Sequence, residues 1–464
     1  LPPSFNKKLG GFFIAKEHRC LACLIKKMTK KLFLLVMAFL TACSAPTPQP
    51  PVAQPTVMVP TVMPSSPVPQ PTAPAPTIAP LPATPKPAAP KITNNLTDGC
   101  ASVYDENTDY FPEKVQISNA VNLSVEYFKN YKLVTISNPW RGAKEQFRYA
   151  LVQCGTPAPK DLPQGTSVIE VPTKRLITLS TTQIAALDRT DATDAIVAID
   201  NFAFVNNAKV REMIKAGKLK EVGSGAKINL EQVLALKPDI VFASGLGNPE
   251  YDTHPKLIEA KIKVGIDASY METLPLGQAE WGKFFALFLN REAQANKAFG
   301  EVQDKYNAIV NKIKTASKKP TVLVGTPYKD TWFISGGQSY AAKLITDAGA
   351  QHYWADDTST GSIPLKFEQV LNKASKADIW LIHTYDQPAN VASFLKVEPR
   401  FGSFAPTQNG NVWNFDKRVN ENGGNDYFET GSANPHLVLA DLTKIFHPDL
   451  MKDHEFVFYR QVKK

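Results

Sequence analysis

Two stretches decide the fold: Leu230-Glu231-Gln232-Val233-Leu234, followed eight residues after its glutamate by Asp239-Ile240-Val241, and Phe367-Glu368-Gln369-Val370-Leu371, followed ten residues after its glutamate by Asp378-Ile379-Trp380. Each reads as a short amphipathic helix that gives way to a buried strand. Any two αβ units share apolar periodicity. Identity at Glu-Gln-Val-Leu is harder to obtain that way, and it points to two duplicated lobes.

Outward from the first stretch, strands are expected at 175–179, 195–200, 239–243 and 263–267. They alternate with helices starting near 182 and spanning 210–216, 230–236 and 255–260, the pattern of parallel βαβ units. Residues 276–317 then carry helical periodicity, broken near Asn290, whose side chain is expected to cap the next helix. A helix over 291–316 would be about 39 Å long. After Pro320 the alternation resumes, with strands at 321–325 and 378–383 and helices at 340–348 and 367–372. The fold class is therefore α/β: two doubly wound lobes, 173–288 and 319–464, joined by one long helix at 289–318.

Ahead of these lobes, residues 93–172 form a β-rich extension, with strands expected at 121–125, 131–137 and 148–152 and turn chemistry at Asn138-Pro139. Cys100 and Cys154 lie in it. In an oxidising compartment they either close a loop of about 55 residues, worth roughly 4 kcal/mol, or remain two buried thiols.

The formal charge of +9 sits at the front of the chain, where residues 1–42 carry eight Lys or Arg against Glu17. The remainder is close to neutral, which excludes the dense basic face that nucleic-acid binding requires. From Met28 the chain reads Met-Thr-Lys-Lys, an uncharged run from Leu32 to Leu40 too short to span a bilayer, then Leu40-Thr41-Ala42-Cys43. This is a signal peptide over 28–42, and residues 1–27 ahead of it are expected not to be translated. Its Leu-Thr-Ala-Cys ending resembles the lipobox of bacterial lipoproteins. That resemblance implies a lipid on Cys43, which becomes the new N-terminus and holds the exported body at a membrane, facing the periplasm or the cell exterior. From Ser44 to Pro90, 17 of the residues are proline and Lys86 is the sole charge. No core forms from such a segment, and residues 43–92 are expected to be a disordered, semi-rigid tether.

Taken together, these features resemble the class III periplasmic binding proteins, the iron-siderophore and cobalamin binders of ABC importers. The resemblance spans about residues 174–452. It is carried by residues 229–244, by Pro275-Leu276-Gly277-Gln278-Ala279-Glu280-Trp281, by residues 332–349, and by Gly423-Gly424-Asn425-Asp426-Tyr427 running on through Asn434-Pro435-His436 to Leu442. It implies a monomeric, non-enzymatic protein without a cofactor. Its ligand would be a ferric siderophore, an iron(III) chelate, and its partner an ABC permease dimer with its ATPase. It also implies that Glu231 and Glu368, one on each lobe, dock that permease; the bland alternative is that a glutamate in a first helical turn favours the helix dipole. Cobalamin or haem binding is the alternative within the fold, and a structural or adhesive surface lipoprotein the alternative outside it.

Ligands of doubly wound sheets lie against loops at the carboxyl ends of strands. A bulky anionic chelate needs aromatic walls and guanidinium donors. Asn201, Tyr270, Trp332, Tyr385 and Arg418 lie in such loops and are the expected ligand-binding residues. A protein-held metal is not expected. His254, His352, His383, His436, His447 and His454 show no paired spacing, and His436, after Asn434-Pro435, reads as a surface residue. An enzyme is disfavoured as well: Val222-Gly223-Ser224-Gly225 lacks the Gly-x-Ser-x-Gly spacing, and there is no Walker loop.

Overall fold

The computed structural model describes residues 91–464. The leader, Cys43 and the proline-rich segment through residue 90 lie outside the described residues.

The extension contributes a four-stranded sheet, β1 (Leu123–Tyr127), β2 (Tyr131–Ile136), β3 (Phe147–Gln153) and β4 (Thr166–Val171), in that spatial order. β4 has no counterpart among the expected strands. It runs parallel to β3, whereas the first three strands form an antiparallel meander. Alternation along β2 turns Lys132, Val134 and Ile136 inward. Cys100 and Cys154 are joined as a disulfide, with Cα atoms 4.8 Å apart.

Topology changes at residue 173, but the core does not. Tyr110, Phe111, Val134 and Tyr149 of the extension belong to one buried cluster with Phe242, Phe284, Phe285 and Phe288. Polar clamps add to it. Glu280 accepts the backbone N–H groups of Ser118, Asn119 and Ala120, and Glu272 those of Val121 and Asn122. Each carboxylate thus satisfies donors that the irregular lead-in to β1 would otherwise leave unpaired.

The first lobe holds β5 (Leu176–Thr178), β6 (Ile196–Ile199), β7 (Lys220–Glu221), β8 (Ile240–Ala243) and β9 (Val264–Ile266). They form a parallel sheet in the order β7-β6-β5-β8-β9. β5, β8 and β9 are buried along their whole length, as a sheet covered on both faces requires.

Two short helices, Pro275–Glu280 and Gly282–Leu287, lead into the connecting helix Glu292–Ile313. Asn290 marks the break, with φ of 55°, but it does not cap. Its amide is spent instead on Leu96 O, Gln153 and the ammonium of Lys132, so a wholly buried side chain ties the helix entry to the extension.

The second lobe contains β10 (Thr321–Val324), β11 (Pro327–Tyr328), β12 (Thr331–Ser335), β13 (Gln351–His352), β14 (Ser362–Lys366), β15 (Ile379–Leu381), β16 (Val412–Asn414) and β17 (Arg460–Gln461). Its main sheet runs β13-β10-β15-β16-β17, parallel except for β17, and β11, β12 and β14 form a separate antiparallel sheet. The order β6-β5-β8-β9 in one lobe repeats as β13-β10-β15-β16 in the other. The two Glu-Gln-Val-Leu helices, Leu230–Leu236 and Phe367–Ala374, precede the equivalent strands β8 and β15. The tail is held by Asp441, which is wholly buried and accepts the N–H groups of Val457, Phe458 and Tyr459.

Candidate functional site

In both sheets strand order reverses beside the first strand, between β5 and β8 and between β10 and β15. Loops leaving the carboxyl ends there diverge and open a crevice. In the first lobe the loop after β8 is shaped by Asp252, whose carboxylate accepts the N–H groups of Leu246 (2.6 Å) and Asn248 (3.0 Å). Tyr270, after β9, donates its hydroxyl to Gly245 O at 2.7 Å and leaves its ring 41% exposed. Burial, then the charges of Asp252 and Asp267, push that hydroxyl up to about 12, so it remains a donor at neutral pH.

In the second lobe Tyr385 follows β15. Its ring is partly exposed and stacks on Phe428, with centroids 5.9 Å apart. Arg418, after β16, is half-exposed and lies 3.0 Å from the carboxylate of Asp426. Asn201, after β6, is committed locally, because its side chain accepts from Ala203 N and caps a 3-10 turn.

Trp332 requires a correction. It is 0% exposed, donates Nε1 to Val324 O, and packs against Trp380, Phe367 and Phe404. Its position on β12 turns it into the core between the two sheets of the lobe, and it walls no crevice. His436 also departs from expectation: it is buried within helix Pro435–Phe446, and burial, then the charges of Lys305 and Arg189, push its imidazole down to about 4. No group of three or more His, Cys, Asp or Glu suited to a metal ion occurs among the described residues.

The lobes meet where the loop after β6 reaches the segment after β16. Glu429, in helix Asp426–Ala433, accepts Asn206 N (2.7 Å) and Asn207 N (2.8 Å) across the gap. Asn420 donates to the carbonyls of Ala203 and Val205, and Arg211 pairs with Glu421. Burial raises the Glu429 carboxyl to about 7. This contact joins the two lobes on the side of the loop after β6.

Glu231 and Glu368 each occupy the second position of their helix, and both are exposed. Glu368 already has a partner, Arg400, at 3.2 Å. The N-cap of the Glu231 helix, Asn229, donates its N–H to Val222 O just beyond β7, so that glutamate projects from the carboxyl-end side of its lobe.

Sequence reasoning missed Asp252 and Glu429, and in Asn138-Pro139-Trp140-Arg141-Gly142 it read the turn but not the large aromatic residue that the turn carries.

Comparison with known proteins agrees with this architecture. The periplasmic binding protein family matches residues 176–419. The chain belongs to that family, in its class III form of two α/β lobes and one connecting helix, and it is a substrate-binding protein, not an enzyme. An uncharacterized lipoprotein of Methanocaldococcus jannaschii is 26% identical over 367 residues, covering 72% of this chain and 84% of the relative. A vitamin B12-binding protein of Pectobacterium atrosepticum is 26% identical over 186 residues, 39% of this chain and 63% of the relative. Among solved structures, a possible iron-binding (periplasmic solute-binding) protein of Staphylococcus epidermidis is 18% identical and covers 60% of this chain and 99% of that one, with a TM-score of 0.48. Among the described residues no helix is long and apolar enough to cross a membrane.

Proposed function

We propose that this chain is an extracytoplasmic lipoprotein, anchored through Cys43, that captures a ferric siderophore-type chelate between its lobes and hands it to an ABC permease with its ATPase. The observation that carries the reading is the pair of exposed tyrosines, Tyr270 after β9 and Tyr385 after β15, each in a carboxyl-end loop of one of two duplicated sheets. Two aromatic faces on opposing lobes suit a bulky ligand held by stacking and dispersion. Arg418 supplies positive charge on the second lobe, although Asp426 offsets part of it. Glu231 and Glu368 are exposed on matched helices, where each meets an arginine of one permease subunit; such pairs set orientation and on-rate more than affinity. Cobalamin is the second reading, favoured by the similarity to a vitamin B12-binding protein over 186 residues.

The test is a fluorescence titration of the purified body, residues 91–464, against ferric citrate, ferrichrome, haemin and cyanocobalamin. Saturable quenching by a ferric chelate with micromolar or tighter Kd is expected. Binding of cyanocobalamin alone would move the ligand to the second reading, and binding of none would overturn both.

A further inference from the structure

Between β2 and β3 the extension sends out a loop that ends at the crevice. Trp140 on this loop is 8% exposed and packs on the loop after β8. A Cβ added at Gly245 would stand 2.4 Å from its ring, and one at Gly247 would stand 2.7 Å from it. Glycine at these two positions is therefore what admits the indole. Phe147 and His254 close around it at centroid distances of 5.9 and 5.0 Å. One residue on, Arg141 is exposed and turns to the other lobe. Its guanidinium lies against Gly361, where an added Cβ would be 2.0 Å from Nη2. Gly361 precedes β14, and its carbonyl accepts the N–H of Gly336 at the end of the small sheet where β12 finishes.

Consecutive side chains of the extension thus seat on opposite lobes, Trp140 on the first and Arg141 on the second. Tyr270 lies beside them. Its hydroxyl is bonded to the carbonyl of the same Gly245 that Trp140 covers, and the charge of Arg141 lowers its pKa against the larger effect of burial. Among the described residues Arg141 has no ion-pair partner, whereas Arg418, Arg400, Arg211 and Arg460 each have a carboxylate. An exposed guanidinium without a countercharge, seated against Gly361 and near enough to Tyr270 to act on its hydroxyl, is a ready receptor for a carboxylate or another oxyanion.

We propose that the Trp140-Arg141 loop is a third wall of the ligand crevice, and that the Arg141 guanidinium receives an anionic group of the ligand, giving anionic chelates preference over neutral ones. The inference rests on the reading of the chain as a chelate-binding protein. It assigns to the extension recognition of ligand charge at the mouth between the lobes, by a guanidinium that no carboxylate offsets as Asp426 offsets Arg418. Gly361 then works as a relief, since any side chain there would displace the guanidinium.

The experiment measures Kd of the 91–464 protein for haemin and ferric citrate, both carrying carboxylates, and for ferrichrome, a neutral ferric hydroxamate. Arg141→Gln is expected to weaken the anionic probe that wild type binds by tenfold or more, and to leave any ferrichrome affinity within twofold. Arg141→Lys, which keeps the charge and loses the planar fork, should fall between. Gly361→Val tests the same guanidinium without altering it and should reproduce most of the Arg141→Gln loss. Thermal melts of the Arg141 variants should match wild type, because the residue is exposed. Equal haemin or ferric citrate affinity in wild type and Arg141→Gln overturns this inference and leaves the binding reading standing. A wild type that takes only ferrichrome overturns it too. A wild type that binds no probe overturns the binding reading itself, and this inference with it.

Discussion

Replacing Lys132 by methionine removes a cation from a site with no solvent. The ammonium donates to Leu287 O at 2.5 Å, to Asn290 Oδ1 at 2.8 Å and to Glu292 Oε1 at 2.7 Å, and it lies 4.6 Å over the Phe111 ring. Both side chains of the ion pair are 0% exposed. Burial lowers the lysine pKa, opposed by the charge of Glu292. Once the ammonium is gone, Glu292 keeps Asn95 Nδ2 at 2.8 Å as a donor but loses its countercharge. Removing one partner of a buried pair costs about 3–5 kcal/mol, a large part of the roughly 5–15 kcal/mol by which domains of ordinary size are stable. Replacing both ions by apolar residues of similar volume costs far less, because the uncompensated charge leaves with its partner. Urea unfolding of the 91–464 protein should therefore show a loss of about 3–5 kcal/mol for Lys132→Met, with at least half recovered in Lys132→Met, Glu292→Met. A loss below about 1 kcal/mol for the single variant, or a double variant no better than the single, would refute the reasoning. Chelate binding by the single variant should fall along with stability, since this cluster fixes the extension and its Trp140-Arg141 loop to the first lobe.

Charge reversal at Glu231 and Glu368 together should cut ligand uptake by cells while leaving solution affinity unchanged; uptake at the wild-type rate would reduce the two carboxylates to helix-start residues. Arg400→Ala should speed association with permease vesicles, because Glu368 is released from its 3.2 Å partner, though exposed pairs of this kind are worth only about 0.2–1 kcal/mol. Labelled palmitate should enter the wild-type protein in bacteria and not Cys43→Ala, and persistent labelling of the variant would end the lipoprotein reading. Burial pushes the His383 imidazole down to about 4, so its neutral form is favoured in the folded state. The unfolded chain takes up the proton near about 6.5, so this contribution is complete above that pH and is lost as pH falls towards 4, on the order of 2 kcal/mol by pH 5. In urea melts at pH 7.5 and 5, wild type should lose more stability than His383→Gln, and equal losses would exclude the imidazole as the source.

Much of the architecture was legible in the residues because it rests on local periodicity. The parallel strands β5, β6, β8, β9, β10 and β15, the connecting helix and the duplication all arise from apolar spacing along the chain, and an address such as Leu-Thr-Ala-Cys is contiguous by nature. Strands of two residues, such as β7, β11 and β13, carry too few side chains to show a period, and only pairing with a neighbour defines them. Sites suffered most. A loop after a strand can be located from sequence, but which way its side chains turn depends on what packs behind it. Tyr270 and Tyr385 face solvent, while Trp332, also aromatic and in a loop chosen by the same rule, is drawn into the core by Trp380 and Phe404. Nothing local marks Lys132 and Glu292, 160 residues apart, as a buried pair; the fold brings them together and closes water out around them. The placement of Arg141 against Gly361 was decided by tertiary structure alone, since it joins an extension loop to the far lobe across a long stretch of intervening chain. Periodicity encodes which face of an element is buried; which distant element then covers that face is settled by the packing of the whole core.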